Sequence, residues 1–410
     1  MAKGTGKKRL KVVVYAIARD EGKFVDRWMA SMKEADAVVV VDTGSTDYTP
    51  ERLRALGAEV KSNRYASWNT LAEYRAAKSR HETVLGAPAP WRFDWARNDS
   101  LEYAMRLHPD ADILVCTDLD EFFTEGWRAK LEKAWADFAE YNHSRLYPTT
   151  AQYEYIWAFN KDGTPRSRFW YEKIHAPGSA LWAHPVHEVL DYGGRERRVV
   201  RVKGMRLEHH ADPSKSRGQY LRMLEMSVAE DPDDDRNAHY LGREYFFARR
   251  WDAAIKTLTH HLSMPRAKWK AERAASLMYI ARAYGEKGDL ARKEAYLWRA
   301  CHEEPNQREA ALELAEMAWA QKDWQLLVAA CERCLAVKEM KMSYLTQAKA
   351  WGARPWDLYS VGLWYSGRYE EALKANAEAM RIDPKDARLK ENDAVMRRAI
   401  EKGKGKGPAK

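Results

Sequence analysis

Apolar residues near the start of the chain follow a strand, helix, strand pattern. Leu10–Ile17 is a mostly apolar run of strand length, and Ala37–Val41 is another. Between them, apolar side chains recur every three or four residues, the spacing of one helix face. These helix-face residues are Phe24, Val25, Trp28, Met29 and Met32. Near-continuous valine runs are typical of strands buried on both faces of a parallel sheet. The pattern therefore predicts a β-α-β unit, with a third strand around Ala58–Lys61.

A later apolar run stops at a group of acids. Ile113–Thr117 has the length of a buried strand, and Asp118, Asp120 and Glu121 follow it. In an open α/β sheet, ligands bind beyond the carboxyl ends of the strands. Two Asp residues one position apart can bind one hard cation, which can then bridge to substrate phosphates. The alternative is a solvated strand end, because such a triplet is common in a chain with 60 acidic residues.

Other polar residues are placed to face the same crevice. Asp42 ends the second strand, and a small-residue loop leads from it to Asp47. A short acid at this place can accept hydrogen bonds from ribose hydroxyls or a base N–H. Arg97 stands at the start of the helix that leads into the acidic strand. The alternatives are a helix N-cap or Asx turn for Asp42 and a surface ion pair with Asp94 or Asp99 for Arg97.

Strand-like segments with polar motifs follow an aromatic-rich helix. These segments are Ala151–Phe159, Ser167–Lys173 and Arg198–Glu208. His187-Glu188 precedes the last segment, and His209-His210 follows it. A neutral imidazole can complete a carboxylate metal site. A structural role for these histidines is the alternative.

From about Gln219 the chain changes to helices that resemble one another. Four segments align at a turn followed by a large apolar residue. These positions, Trp251, Leu290, Trp324 and Tyr369, are 39, 34 and 45 residues apart. The pattern resembles tetratricopeptide repeats with an insertion near Met340–Pro355. Stacked helix pairs of this kind commonly bind a peptide or another subunit on their concave surface.

Composition and charge are those of an ordinary globular protein. The 410 residues are 45% hydrophobic and 31% charged. The net charge of +9 comes from lysine-rich ends, and the remaining body carries 60 cations against 60 acids. We therefore predict disordered basic tails, which are solvated or touch nucleic acid or an anionic surface.

Neither a membrane anchor nor a disulfide framework is expected. No run of 18 apolar residues occurs, and the N-terminus lacks an apolar leader. We expect a cytoplasmic protein. Its four cysteines lie on regular elements, which disfavours disulfides. For Cys331-x-x-Cys334 on a helix, packing is favoured over redox or metal chemistry.

Four segments together resemble family 2 glycosyltransferases with the GT-A fold. They are VVVYAIARDEGKFVDRWMASM, VVVVDTGSTDYT, DWARNDSLEYA and ILVCTDLDEFF, within about residues 10–130. The resemblance implies an α/β, Rossmann-like nucleotide-sugar domain at 10–215, before tetratricopeptide-like repeats at 216–398. Basic tails would occupy 1–9 and 399–410. Arg19-Asp20 replaces a frequent Lys-Asn, and Asn63–Pro90 looks like an insertion that bears on donor specificity.

The resemblance implies how the donor and a cation are held. Asp42 would contact the base or ribose of the nucleotide. Asp47, Arg97 and Asp118 would help to hold the nucleotide-sugar, for which a UDP-sugar is expected. Asp118 and Asp120 would bind a divalent cation, Mn²⁺ or Mg²⁺.

The later motifs would return to the same site. In enzymes of this kind, a His-Glu pair and a later histidine often reach the sugar. His210 or His209 would be a further metal ligand. Glu188 would be the base that activates the acceptor, with Glu121 as a second candidate.

The expected activity is metal-dependent, inverting transfer of a sugar to a peptide, protein or glycan acceptor. A family 2 domain followed by helical repeats also resembles peptide S-glycosyltransferases of bacteriocin pathways and glucosyltransferases of cell-surface glycans. Transfer to modified DNA bases is an alternative that the basic tails favour and the neutral body opposes. A non-catalytic scaffold that binds partners through its repeats is another. The joint presence of the acids at both strand ends favours an enzyme.

Overall fold

The chain divides into two units, one up to Glu230 and the other from Asp231 onward. The computed structural model describes residues 9–141, 146–160, 162–212 and 218–403. Most of the predicted basic tails, residues 1–8 and 404–410, lies outside the described residues. Residues up to Glu401, in contrast, continue a helix. The first unit is mixed α/β, and the second is helical.

Eight strands among the described residues form the central sheet of the first unit. They are β1 (Val12–Ala18), β2 (Ala37–Asp42), β3 (Glu59–Ser62), β4 (Ile113–Cys116), β5 (Glu121–Phe123), β6 (Thr150–Phe159), β7 (Pro165–His175) and β10 (Val199–His209). Their order is β3-β2-β1-β4-β7-β6-β10-β5. β8 (Leu181–Ala183) pairs with β9 (Val189–Asp191) apart from this sheet. β1, β2, β3 and β4 run parallel, so their carboxyl ends meet at one edge.

Six helices among the described residues belong to the first unit together with this sheet. They are α1 (Gly22–Met32), α2 (Thr49–Ala55), α3 (Leu71–Thr83), α4 (Phe93–Leu107), α5 (Trp127–Tyr141) and α6 (Tyr220–Glu230). α3 lies within the predicted insertion. Glu230, at the end of α6, accepts hydrogen bonds from Tyr74 Oη at 2.8 Å and Arg92 Nη1 at 2.9 Å. α6 therefore belongs to the first unit, although the sequence-based division at 215 would place it with the repeats.

Alternation along β1 explains why both faces of the sheet are covered. Successive strand residues point to opposite faces. Val12 and Val14 belong to one buried cluster, together with Trp28 of α1. Val13 belongs to a second cluster, together with Leu101 of α4. The predicted β-α-β unit and the strand before Asp118 are confirmed.

The second unit consists of successive helices. They are α7 (Asp235–Phe247), α8 (Trp251–Ser263), α9 (Lys270–Glu286), α10 (Leu290–Glu303), α11 (Glu309–Gln321), α12 (Trp324–Ala336), α13 (Ala348–Trp351), α14 (Arg354–Tyr365), α15 (Tyr369–Ile382) and α16 (Ala387–Glu401). The four positions aligned in sequence are the first residues of α8, α10, α12 and α15. The repeat alignment therefore found the second helix of each pair. The predicted insertion holds the short helix α13.

Close packing of neighbouring helices uses two glycines. A Cβ on Gly242 of α7 would lie 2.5 Å from Leu258 of α8, and one on Gly362 of α14 would lie 3.0 Å from Leu327 of α12. Cys331 and Cys334 are free and buried in the helical core, as expected from packing. Among the described residues, no helix combines the length and apolarity needed to cross a bilayer.

Candidate active site

Arg97 joins two of the predicted site residues. Its Nη2 donates to Asp118 Oδ1 at 2.8 Å, and its Nε donates to Glu188 Oε1 at 2.5 Å. The arginine is buried, and its guanidinium lies 5.2 Å from the centre of the Trp182 ring. Asp118 follows β4, whereas Glu188 directly precedes β9. Arg97 thus ties the carboxyl edge of the parallel strands to the β8–β9 hairpin, and the alternative of a surface ion pair does not hold.

Lys173 of β7 is the partner that sequence reasoning missed. Its Nζ donates to Asp118 Oδ2 at 2.8 Å and to Glu121 Oε1 at 2.9 Å. Tyr155 Oη donates to the same Glu121 oxygen at 2.7 Å, and the Asp118 N–H donates to Glu121 Oε2 at 2.9 Å. Glu121 is only 1% exposed. This environment favours a positioning role for Glu121, because each carboxylate oxygen is already bound and shielded from a substrate.

The charges in this cluster shift the acid–base equilibria. Burial opposes ionisation of Asp118, but the charges of Arg97 and Lys173 outweigh it and hold the Asp118 pKa well below its usual value. Burial raises the pKa of Glu121. The charge of Lys173 lowers this pKa, whereas the charge of Asp118 raises it further. Burial would lower the pKa of Lys173, but the two carboxylates raise it well above the ordinary value. Lys173 therefore stays charged.

Asp120 meets His209 through the pairing of β5 with β10. In that antiparallel register, His209 lies opposite Glu121. His209 Nε2 is 3.4 Å from Asp120 Oδ2, and His209 Nδ1 donates to the Trp157 carbonyl at 3.2 Å. Burial lowers the pKa of His209, but the hydrogen bond to Asp120 and its charge outweigh burial and raise that pKa.

His210 faces a different set of groups. The backbone N–H of His210 donates to the backbone carbonyl of Asp120 at 2.8 Å. Its ring Nε2 lies 3.0 Å from Arg27 Nη2 and 3.4 Å from Glu208 Oε2. The imidazole beside the Asp120 carboxylate is therefore that of His209.

Asp42 and Asp47 organise the loops after β1 and β2. Asp42 is buried and accepts hydrogen bonds from the Gly44 N–H at 3.3 Å and the Ser45 N–H at 3.2 Å. Asp47 accepts from the Gly22 N–H at 3.0 Å and the Thr49 N–H at 3.0 Å. Burial opposes ionisation of Asp47, but its hydrogen bonds lower the pKa. The Asx-turn alternative for Asp42 thus describes its local geometry.

The segment before β9 has an unusual backbone. His184 has a φ of 77° and His187 a φ of 54°. Such angles are uncommon for residues with a Cβ and tend to occur at functional sites. They lie just before Glu188, whose carboxylate Arg97 fixes in place. The strained turn and the arginine together aim Glu188 at the Asp118 edge.

A pocket of about 370 Å³ opens beside the loop after β1. Its aromatic and basic lining includes Arg19, Tyr65, Trp68, Trp91 and Arg222. Arg222 Nη1 donates to Asn69 Oδ1 at 2.8 Å, and Tyr65 hydrogen-bonds to Asp99. The predicted insertion supplies much of the wall. Its volume lies within the range of small-molecule sites.

A divalent cation fits only part of the predicted ligand set. Within the described ranges, the one group of three His, Cys, Asp or Glu side chains with converging ligand atoms lies elsewhere. Asp118 already binds Arg97 and Lys173. Asp120 and His209 do present an oxygen and a nitrogen side by side. One carboxylate completed by water and substrate phosphate is sufficient for Mg²⁺, so Asp120 fits such an ion, and the His209 nitrogen is a further donor beside it.

Comparison with known proteins finds similarity in the helical part of the chain. Searches of protein families and of curated proteins find no match. MamA is 16% identical over 41% of this chain and 89% of its own, with a TM-score of 0.33. Pseudomonas aeruginosa PilF is 14% identical over 42% of this chain and 72% of its own, with a TM-score of 0.33. Yeast Tom70 is 14% identical over 46% of this chain and 37% of its own, with a TM-score of 0.34. These are tetratricopeptide-repeat proteins, and the glycosyltransferase resemblance of the first unit stays a prediction.

Proposed function

We propose that the first unit transfers a sugar from a nucleotide diphosphate to an acceptor. The observation that carries this proposal is the joining of Asp118 and Glu188 by Arg97 at the carboxyl edge of four parallel strands. This edge is where open α/β sheets bind ligands. Two carboxylates in different surroundings can take different roles. At this edge, Asp118 would serve the sugar donor and Glu188 the acceptor.

Arg97 and Lys173 would work on the donor side. Both cations are buried beside Asp118. Preorganised positive groups stabilise a developing negative charge more strongly in a dry site than in water. A bound Mn²⁺ or Mg²⁺, held by Asp120 and His209, would supply further charge neutralisation for the leaving diphosphate. The chain's part is to hold Asp120 against His209 and to keep Asp118 ionised.

Glu188 would work on the acceptor side as a general base. Its side chain is 11% exposed and retains access to the cleft. A base must lie within hydrogen-bond reach of the proton that it takes. Arg97 binds Glu188 Oε1, and in the proposal the other oxygen, Oε2, takes the proton of the acceptor. Inversion at the sugar carbon, which the family resemblance implies, is part of the proposal.

The aromatic pocket would take the flat part of the donor. Trp68 and Trp91 line this pocket, together with the cationic side chains of Arg19 and Arg222. Stacking and charge suit a nucleotide base and its phosphates. Donor specificity would then reside in the insertion. Trp68→Ala should weaken donor binding, whereas exposed Trp319→Ala in the second unit should leave it unchanged.

The helical unit would hold a peptide, protein or glycan acceptor. Successive helix pairs offer an extended surface, and repeats of this architecture commonly bind peptides. A cytoplasmic location with such an acceptor is part of the proposal.

A second candidate, a non-catalytic scaffold, is favoured by one observation. Both Asp118 oxygens are occupied by side-chain cations of the chain itself. In a scaffold, this cluster would serve only the stability of the first unit.

Incubation with a panel of nucleotide-sugars separates the two candidates. The purified chain is given each donor with and without Mn²⁺, and release of nucleoside diphosphate is followed. Metal-stimulated release from one donor, with sugar retained on an acceptor, supports a transferase. Failure to bind or hydrolyse any donor of the panel, in either condition, overturns that proposal and favours the scaffold.

A further inference from the structure

A buried group of polar side chains lies in the second unit, independent of the candidate active site. Asp235 begins α7, His261 lies in the last turn of α8, and Glu272 lies in the first turn of α9. One ligand atom from each residue lies within 4.8 Å of the other two. His261 is fully buried and Glu272 is 4% exposed. Burying such groups is costly unless they are paired.

The ring of His261 is held at one nitrogen only. Its Nδ1 lies 3.0 Å from Ser276 Oγ, which also lies 2.7 Å from the Nδ1 of His239. Its Nε2 is buried and has no hydrogen-bond partner. This nitrogen points at the carboxylates and lies 3.8 Å from Glu272 Oε1.

Either neutral tautomer of His261 leaves a problem at Nε2. If Nδ1 accepts from Ser276, Nε2 carries a proton with no acceptor within hydrogen-bond distance. If Nδ1 donates to Ser276, a bare lone pair faces carboxylate oxygens. A buried polar atom without a hydrogen-bond partner destabilises the fold. The second tautomer is the one found in metal-binding histidines, whose other nitrogen donates to a neighbouring group.

Glu272 is held in a matching way. Tyr344 Oη donates to Glu272 Oε2 at 2.7 Å, so its other oxygen faces His261. Burial lowers the pKa of His261 to about 4, which keeps the imidazole neutral and able to coordinate. The donor set is one imidazole nitrogen and two carboxyl groups. Burial raises the pKa of Glu272, and a divalent cation beside it would favour the ionised form.

We propose that Asp235, His261 and Glu272 form a binding site for a divalent transition-metal cation, with Zn²⁺ as the best match. Zinc takes His nitrogen and Asp or Glu oxygen, usually with four ligands, and water would supply the fourth. Ligand atoms of a tetrahedral zinc site lie about 3.4 Å apart. Binding therefore draws together ligand atoms that now lie within 4.8 Å of one another, and it ties the starts of α7 and α9 to the end of α8.

Metal content of the full chain tests the site. Tag-free protein is stripped with EDTA, dialysed against Zn²⁺ and measured by atomic emission, and its affinity is determined by competition with a chromogenic chelator. Cobalt(II) loading of the unmodified protein gives an absorption spectrum that reports tetrahedral coordination without any variant. We expect the wild type to bind zinc and to melt at a higher temperature when loaded.

Matched variants locate the bound ion. His261→Gln should lower zinc affinity by at least about 100-fold, since changes outside the ligand set already cost about 10–100-fold. Ser276→Ala, which removes the partner of Nδ1, should cost about 10–100-fold. His260→Gln, on the exposed neighbouring residue, should bind as the wild type does. Asp120→Ala should also retain this zinc, which separates it from any cation in the first unit.

Two results overturn the proposal. One is wild-type protein with no zinc and no tetrahedral cobalt spectrum after loading. The other is zinc binding that His261→Gln and Glu272→Gln leave unchanged while Asp120→Ala abolishes it. The first result leaves the proposal of sugar transfer untouched, and the second would assign the bound zinc to Asp120 in the first unit instead.

Discussion

Lys173 Nζ lies 2.8 Å from Asp118 Oδ2, although 55 residues separate them along the chain. The same ammonium binds buried Glu121. The acids that follow β4 are therefore partly neutralised by β7, and Asp118 is fixed between Lys173 and Arg97. This arrangement gives Asp118, Glu121 and Asp120 different roles despite their adjacency in sequence.

Loss of Lys173 should destabilise the first unit. Lys173→Met leaves the buried carboxylate of Glu121 without its cation, which costs about 3–5 kcal/mol when a buried pair is broken; Asp118 is partly exposed and keeps Arg97. Denaturant unfolding measures the change. Adding Glu121→Gln to Lys173→Met should recover part of it, and Lys133→Met, on an exposed lysine, should have no effect. Equal stability of the wild type and Lys173→Met would contradict the buried cluster.

Asp120 should be needed for turnover rather than for folding. Asp120→Ala removes the carboxylate beside His209 and should lower turnover by at least about 100-fold, as loss of a charge stabiliser does. Rates of nucleoside diphosphate release measure this. Asp137→Ala, on an exposed aspartate of α5, is the control. Full activity of Asp120→Ala in EDTA would exclude the proposed metal site.

Glu188→Gln should separate donor binding from transfer. The amide keeps the shape of the side chain but cannot take a proton, so transfer should fall by about 10²–10⁴-fold with donor affinity nearly unchanged. Single-turnover rates and equilibrium donor binding give the two quantities. In a purely structural role, loss of the bond to Arg97 would instead lower the melting temperature and leave transfer at its normal rate. That outcome would make Asp191, the last residue of β9, the next candidate for the base.

The first unit should lose stability in mild acid through His175. Trp182 Nε1 donates to Tyr15 Oη at 2.8 Å, Tyr15 Oη lies 2.7 Å from His175 Nε2, and His175 Nδ1 lies 3.0 Å from the Ala176 carbonyl. Both ring nitrogens are satisfied in the neutral form. Burial lowers the pKa of His175 from 6.5 to about 4. The unfolded chain therefore binds more protons between these values.

The sign of the pH effect follows from this difference. The contribution of His175 is fully present above its unfolded pKa and is lost as the pH falls toward the folded one, by about 3 kcal/mol in total. Denaturant unfolding between about pH 7.5 and about pH 5 tests it. His175→Gln should have a shallower dependence, whereas exposed His260→Gln should match the wild type. Parallel pH curves for all three proteins would refute the assignment.

Truncation should separate donor binding from acceptor binding. A chain that ends at Glu230 keeps α6 and its bonds to Tyr74 and Arg92, so it should fold and bind the donor but transfer poorly to the native acceptor. A chain that ends at Asp212 lacks these bonds and should melt at a lower temperature. Transfer at the full rate by the chain that ends at Glu230 would show that the repeats do not hold the acceptor.

The sequence by itself determined the elements whose signal is local. Valine runs identified β1 and β2, and the apolar run Ile113–Thr117 identified the strand before Asp118, because burial on both faces requires apolar residues at every position. The first residues of α8, α10, α12 and α15 followed from the repeat alignment, because each begins the second helix of a similar pair. The acids at the ends of β2 and β4 could also be predicted, because they directly follow the apolar runs in the sequence.

Only the tertiary structure decided which side chains meet. Lys173 lies in a strand with no motif around it, and its partner is set by where β7 joins the sheet beside β4. The choice between His209 and His210 depends on the register of β10 against β5, where a slip of one residue would exchange the two faces. Likewise, α6 joins the first unit through Glu230 and not through any local pattern. Such long-range pairings depend on register and packing, which no short window of sequence specifies.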